Sequence, residues 1–211
     1  MNDRDGAKRS DKYEQPAGEI LMPTSTELQS EIVQLIQRDR IRNRIQAYAR
    51  GVDRRQWDLV ADAYHHDAYD NHGGYQGGVL GLIQWLKRRH ESIEQSMHFI
   101  GNCLIDFTSE STAIAESYCV VYQRYAKEAE ETIRIWVGDG EIADDARISV
   151  ELVCRYVDCF ERRGADWRIA HRTVVMEAVK AASDSSPLPA GWAVSRRDDA
   201  DVLWEKLGLS G

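Results

Sequence analysis

Two residues far apart in the sequence have the side chains needed to remove a proton from carbon. Asp53 lies where one predicted helix ends and the next begins, and His98 opens the first long predicted strand. A carboxylate that holds an imidazole fixes the ring tautomer and stabilises the imidazolium, which makes the ring a general base. If folding brings the two side chains together in a pocket, we expect a proton-transfer site there.

Each of these residues also has a structural interpretation. Asp53 and Gln56 fit a helix capping box, so composition alone favours Asp53 as the N-cap of a second helix. A histidine on a half-buried strand is more often a satisfied core residue than a base. The two roles of Asp53 are compatible, because one carboxylate oxygen can serve each.

A second group of polar residues could suggest a metal site. Its spacing matches no standard zinc pattern, and adjacent histidines on a helix point apart, so we expect no metal. The group comprises His65, His66, Asp67, Asp70 and His72. The four cysteines lie in strand-like stretches without CxxC spacing, which favours reduced, buried thiols over disulfides.

The whole chain indicates a cytoplasmic globular protein. It has 211 residues, of which 43% are hydrophobic and 29% charged, and this length favours one domain with extra segments. The formal net charge of -8 argues against broad nucleic-acid binding. The polar N-terminus lacks the apolar core of a signal peptide, and no apolar run approaches a membrane span.

The order of predicted elements gives an α+β protein with a strongly curved antiparallel sheet around N-terminal helices. We expect a mobile tail over residues 1–24, an α+β barrel over 25–180, and a C-terminal tail over 181–211 that packs on the body or on a neighbouring subunit. Helical spacing runs from Ile32 to Val52, and a second helix is expected from Asp53. Strands are predicted over Met97–Phe107, Thr112–Tyr125, Arg147–Glu161 and Trp167–Val179.

Strand alternation predicts which side chains share a face. His98 and Ile100 should face away from Met97 and Phe99. Met97 and Phe99 should share a face with Ile105. His171 and Arg172 alternate across the last strand, so only one of them should point into a pocket unless a bulge intervenes.

The acidic segment from Lys127 to Ala146 is open to two interpretations. It is either a solvated hairpin, in which Ile133 to Val137 extends a strand and Gly138 to Gly140 makes the turn, or a lid over a pocket.

Four stretches together resemble the SnoaL-like branch of the nuclear-transport-factor-2-like superfamily. They are Tyr48–Arg55, Asp67–Ala68 with the glycine-rich loop, Met97–Asn102 and Phe160–Arg172, and the similarity covers about Glu27 to Val179. Within the superfamily the pattern is similar to hexachlorocyclohexane dehydrochlorinase, scytalone dehydratase and bile-acid 7α-dehydratase, which are cofactor-free lyases that assemble as trimers.

The resemblance implies specific roles. Asp53 and His98 match the acid–base pair of these lyases, Tyr48 matches a tyrosine of the bile-acid enzyme, and Arg172 is the best match for an arginine of the pocket. It implies a cone-shaped pocket, no cofactor, a small hydrophobic substrate and a homo-oligomer, with a trimer favoured. Core packing is the alternative for Tyr48, and a plain salt bridge is the alternative for Arg172.

The function expected from these observations is a cofactor-independent lyase, of the dehydratase or dehydrohalogenase type, or a related isomerase. Its substrate would be a hydrophobic cyclic or polycyclic molecule. Two alternatives share the fold: the non-catalytic small subunit of an aromatic-ring dioxygenase, and a ligand-binding module.

Overall fold

The computed structural model describes residues 22–126, 128–137, 147–184 and 188–208. The chain divides into two compact units, Met1–Gln34 and Leu35–Gly211. The elements in chain order are α1 (Ser25–Asp53), α2 (Trp57–Asp62), β1 (Tyr64–Asn71), β2 (Gln76–Gly78), α3 (Val79–His90), β3 (Ile93–Phe107), β4 (Thr112–Tyr125), α4 (Glu130–Val137), β5 (Arg147–Arg163), β6 (Asp166–Asp184) and α5 (Val202–Leu207).

The strands form a curved, unclosed sheet in the order β2-β1-β6-β5-β4-β3. The predicted α+β class with N-terminal helices is therefore confirmed. The strands pair antiparallel except β1 and β6, which run parallel. These two strands are far apart in sequence, so no hairpin forces them to be antiparallel. No helix in the described ranges is long and apolar enough to span a membrane.

The inner face of the sheet and the second half of α1 form one buried apolar cluster. Alternate residues of β5 from Ile148 to Tyr156 are buried on this face. β4 contributes mainly small side chains to the same face, including Ala113, Ala115 and Cys119. The alternation of period two follows from the pleat of the strand.

The predicted capping box at Asp53 is wrong. Asp53 is the last residue of α1, and α2 begins at Trp57 with Gln56 as an N-cap that makes no side-chain cap bond. α1 ends in a Schellman motif: Gln56 N donates to the Gly51 carbonyl, Arg55 N donates to the Val52 carbonyl, and Arg55 has a positive φ of 56°. This ending frees the Asp53 carboxylate for contacts with the sheet.

The strand alternation predicted for Met97 to Phe107 is wrong beyond Ile100. Between the pairs Ile100–Cys119 and Cys103–Ser117, two residues of β3 lie opposite one residue of β4, so the strand contains a bulge. Met97 and Phe99 are therefore exposed, whereas Ile105 is buried. The bulge leaves His98 on the inner side and places Phe99 on the outer side.

The suggested strand over Ile133 to Val137 is wrong, because these residues belong to helix α4. Ala129 and Ile133 are buried, and Ile133 N donates to the Ala129 carbonyl at 2.8 Å. Their spacing, continued by Trp136, is the i, i+4, i+7 pattern of a helix. The turn expected at Gly138 to Gly140 lies outside the described residues.

Candidate active site

The Asp53 carboxylate binds the edge strand β3. Its Oδ1 accepts hydrogen bonds from Ser96 Oγ at 2.8 Å and from His98 Nδ1 at 2.6 Å. Its Oδ2 accepts from the His98 backbone N at 2.8 Å. Ser96 and His98 are two residues apart on a strand, so both side chains reach the same carboxylate. The structure thus brings Asp53 and His98 together.

These contacts determine the protonation states of the pair. Burial alone would raise the pKa of Asp53, but the hydrogen bonds and charge of His98 outweigh burial and hold that pKa below its usual value. The ionised carboxylate can only accept, so Nδ1 of His98 carries a proton. In neutral His98 the Nε2 atom is then the basic nitrogen, and no described residue forms a hydrogen bond with it.

His98 lines two cavities, although its side chain is only 7% exposed. The inner cavity, of about 490 Å³, lies among the aromatic side chains of the core. Its wall includes Tyr48, His72, Trp85 and Tyr156. The outer cavity, of about 980 Å³, lies between α1, β3 and residues 188–197, which we call the C-terminal segment. An imidazole between an apolar interior and a wider opening is well placed to meet a ligand.

Helix α4 contributes Thr132, Ile135 and Trp136 to the inner cavity. The Arg89 guanidinium of α3 lies 5.1 Å from the Trp136 ring, so one cation–π contact connects α4 to α3, and a second, at 5.4 Å from the Trp85 ring, lies within α3. The described part of the segment, 128–137, therefore borders the inner cavity, and a lid role stays a prediction.

Tyr48 is buried and lines the inner cavity. Its hydroxyl lies 3.3 Å from His72 Nε2, and its ring makes edge contacts with Tyr64 and Tyr156. Burial is the main cause that raises the pKa of Tyr48, so the phenol keeps its proton at neutral pH. Tyr48 is therefore available as a hydrogen-bond donor.

Arg172 lies behind the cavity wall rather than on it. Its side chain is fully buried, and it pairs with both oxygens of Asp158 at 2.6 and 2.7 Å. The guanidinium stacks 4.3 Å from the Tyr48 ring and 4.2 Å from the Tyr156 ring. His171 faces the other way and stacks on Tyr69 at 5.4 Å. The structure thus places Arg172, and not His171, on the inner side of the sheet.

The sequence interpretation missed one pair of cavity residues. His72 Nδ1 contacts the fully buried Asp70 carboxylate, and Tyr64 Oη donates to the same carboxylate at 2.6 Å. Both residues were considered only as metal ligands. The signal was the two-residue spacing from Asp70 to His72, which on an extended chain places both side chains on one face.

The C-terminal segment contacts the backbone that carries Asp53. Arg197 donates to the carbonyls of Asp53 at 2.8 Å, Ile93 at 2.8 Å and Val52 at 3.0 Å. It also contacts His90 Nδ1. Burial, followed by the nearby Arg197 charge, holds the pKa of His90 well below its usual value, so His90 is a neutral acceptor.

The same segment borders the outer cavity through Pro189, Trp192 and Ser195. Burial, and then the charge of Arg55, lower the pKa of Arg197 to about 10, which leaves it charged at neutral pH. Sequence reasoning missed Arg197, because an arginine beside Arg196 and two aspartates is typical of an exposed salt-bridge cluster.

The chain belongs to the SnoaL-like domain family, which it matches over residues 33–173. No curated protein sequence matches it. Solved structures share its fold at low identity. The hexachlorocyclohexane dehydrochlorinase LinA-type3 from Novosphingobium barchaimii is 18% identical, with a TM-score of 0.58 over 75% of this chain and 99% of that one.

Two further structures come from Novosphingobium aromaticivorans. One is a protein provisionally named as a scytalone dehydratase, 17% identical, with a TM-score of 0.57 over 76% of this chain and 97% of that one. The other is the β subunit of a provisionally named aromatic-ring-hydroxylating dioxygenase, 18% identical, with a TM-score of 0.50 over 69% and 92%. At these identities the similarity establishes the fold alone.

We predict that Arg197→Ala destabilises the protein by about 2–4 kcal/mol, because three carbonyl acceptors lose a buried charged donor. Arg196→Ala is the matched control: Arg196 is exposed and pairs with Asp198, so its loss should cost less than about 0.5 kcal/mol. Urea unfolding of both variants measures the difference. Equal free energies of unfolding for the two variants would show that Arg197 does not anchor the segment.

Proposed function

We propose that this SnoaL-like protein is a cofactor-independent lyase of the dehydratase or dehydrohalogenase type, or a related isomerase. Its substrate would be a hydrophobic cyclic or polycyclic small molecule. The observation that carries the proposal is the hydrogen bond between His98 Nδ1 and Asp53, made by a ring that lines an aromatic inner cavity. The size of that cavity, about 490 Å³, is in the range of small-molecule sites.

In this proposal His98 is the base. Its Nε2 takes a proton from a carbon next to, or vinylogous with, a carbonyl group. The imidazolium that forms keeps both ring protons, and the buried Asp53 carboxylate stabilises its positive charge. Ser96 and the His98 amide hold the carboxylate in place, so the pair requires no rearrangement when the proton moves.

Tyr48 is the proposed donor to the oxyanion or to the leaving oxygen. It faces the cavity as a protonated phenol whose ring is held by two other aromatic rings. The positive charge of Arg172 opposes the effect of burial on the pKa of Tyr48, so it makes the phenol a better donor. We therefore assign Arg172 an electrostatic role through Tyr48, and a direct contact with a leaving group stays a prediction.

Two of the structural neighbours carry names of elimination enzymes, a dehydrochlorinase and a dehydratase, which supports the reaction type. A dioxygenase β subunit with the same fold supports a second candidate, a structural subunit of a ring hydroxylase. Co-purification with a large iron–sulfur subunit, and no turnover of the free chain, would favour that candidate.

A panel of β-hydroxy ketones, hydroxysteroid enones and chlorinated alicyclic compounds tests the proposed reaction. We predict that His98→Ala and Asp53→Asn each reduce kcat/KM by about 10²–10⁴-fold on a turned-over compound. The double variant should be little worse than the worse single variant, because the pair acts as one unit. His66→Ala, on a side chain that is 91% exposed, should leave the rate unchanged.

Circular dichroism and thermal melting provide the folding control for each variant. If a turned-over compound keeps near-normal rates in both single variants, the assignment of the Asp53–His98 pair is wrong. If no compound reacts but several raise the melting temperature, a ligand-binding module is the better description.

We also propose that the outer face of the sheet joins copies of this chain, with a trimer favoured by the resemblance to trimeric lyases. Phe99 and Val120 are register partners on neighbouring strands, and both are exposed. Met97, Leu104 and Tyr118 extend the same exposed apolar surface. A monomer rarely leaves so many large side chains together in water.

We predict that sedimentation equilibrium at micromolar concentration gives about three times the chain mass of 24.1 kDa. Phe99→Glu should shift the protein to monomer, since it places a charge in the apolar interface. Leu80→Glu is the matched control, because Leu80 is 80% exposed on α3. A wild-type monomer, or a trimer unaffected by Phe99→Glu, would contradict the proposed interface.

A further inference from the structure

A second histidine–carboxylate pair opens on the same inner cavity as His98. His72 follows β1, and its Nδ1 contacts the carboxylate of Asp70 within that strand. Its Nε2 lies 3.3 Å from Tyr48 Oη, and both His72 and Tyr48 line the cavity. The three side chains form a continuous path from a buried carboxylate to the cavity surface.

The buried end of this path carries a negative charge. Burial would raise the pKa of Asp70, but the charges of His72 and Arg172, together with hydrogen bonds, outweigh burial and lower it. Asp70 is fully buried, and its second oxygen accepts from Tyr64 Oη at 2.6 Å. Both carboxylate oxygens are therefore occupied, and Oδ1 is directed at the His72 ring.

A partner on each nitrogen would also suit a core histidine, and the position of His72 on the cavity wall is what distinguishes it. His72 keeps 14% of its side chain exposed and contacts the rings of Trp85 and Tyr156, which also line the cavity. Two imidazoles held by carboxylates on one cavity are suited to opposite tasks, one accepting a proton and the other supplying one.

We propose that Asp70, His72 and Tyr48 form a proton-donating relay in which Tyr48 protonates the substrate oxygen and His72 restores the phenol. This inference rests on the proposed lyase function and extends it to the choice of leaving group. His72 acts through Tyr48, so it is a positioning and relay residue rather than the group that meets the substrate.

The relay completes the elimination of water. His98 Nε2 forms a bond to the substrate proton, the C–H electron pair becomes the new C=C bond, and the C–O bond breaks toward oxygen. That oxygen takes the Tyr48 proton, and Tyr48 takes the Nε2 proton of His72, which the relay requires to enter the step protonated on both ring nitrogens. His72 ends neutral, with its Nδ1 proton still directed at Asp70, and His98 ends as an imidazolium. His98 then releases one proton to solvent, and His72 takes one proton from solvent.

A donor relay selects the substrate class. Hydroxide is a poor leaving group and must be protonated as it departs, whereas chloride leaves as the anion without a proton. The geometry points to a substrate that loses water, or to one whose carbonyl oxygen is protonated, in preference to a chlorinated compound.

The binding of 4-nitrophenol tests the relay without any turnover. Its oxygen imitates the developing oxyanion, and the coloured phenolate can be measured separately from the phenol. We expect the wild-type protein to bind the phenolate about tenfold more tightly than His72→Gln or Tyr48→Phe does, because Tyr48→Phe removes the hydrogen bond to the phenolate and His72→Gln removes the ring that supports the Tyr48 hydroxyl. His66→Gln, the exposed control, should keep the wild-type affinity for the phenolate.

Melting temperatures separate loss of the relay from loss of the fold, and His72→Gln must melt within a few degrees of the wild type. Equal phenolate affinity in the wild type and His72→Gln would overturn the relay, and so would failure of the wild type to prefer the phenolate. Neither result bears on the assignment of His98 as the base, which is tested separately by turnover. A wild-type preference that vanishes in both relay variants would support the relay even if no substrate reacts.

Discussion

The structure depends on one carboxylate that joins a helix to the edge of a sheet. Asp53 accepts two side-chain hydrogen bonds and one backbone hydrogen bond from Ser96 and His98, at distances of 2.6 to 2.8 Å. Helix α1 can direct this side chain at the sheet because it ends in a Schellman motif at Arg55 instead of continuing into α2. Edge strands expose unpaired backbone groups, and here the carboxylate satisfies one of them.

The remaining parts of the site hold this junction from two sides. From outside, Arg197 binds the last carbonyls of α1 and the first residue of β3, so the two elements that carry Asp53 and His98 share one anchor. From inside, the buried Arg172–Asp158 pair lies behind the Tyr48 and Tyr156 rings. A buried ion pair of this kind is costly to form, but it places a fixed guanidinium behind the aromatic rings of the inner cavity wall.

The sequence predicts those parts of the fold in which apolar residues recur with a simple period. The four long strands and the convergence of Asp53 with His98 followed from alternation, helix ends and family resemblance. The capping box failed because the D-x-x-Q pattern is local, whereas the partners of Asp53 lie more than forty residues away on β3. The prediction that Ile105 shares a face with Phe99 failed because a bulge inserts one residue without leaving a clear sequence signal.

Two other features depended on tertiary contacts that no spacing rule contains. Helix α4 has the short apolar run of a strand, and only the burial of Ala129 and Ile133 on one side selects a helix. The sequence grouped His72 with other polar residues as a possible metal ligand. Only the fold shows that His72 lies between Asp70 and Tyr48. The roles of His72 and His98 in proton transfer are proposals, whereas their contacts with Asp70 and Asp53 are part of the structure.

The protonation state of His98 tests the central claim most directly. Nitrogen-15 NMR of histidine-labelled protein at neutral pH, with the His98 signal assigned from His98→Gln, reports which ring nitrogen carries the proton. We predict a proton on Nδ1 that is shifted strongly downfield by the Asp53 carboxylate. Asp53→Asn should abolish that downfield signal. A wild-type ring whose only proton lies on Nε2, or a spectrum unchanged by Asp53→Asn, would show that Asp53 does not hold the His98 ring.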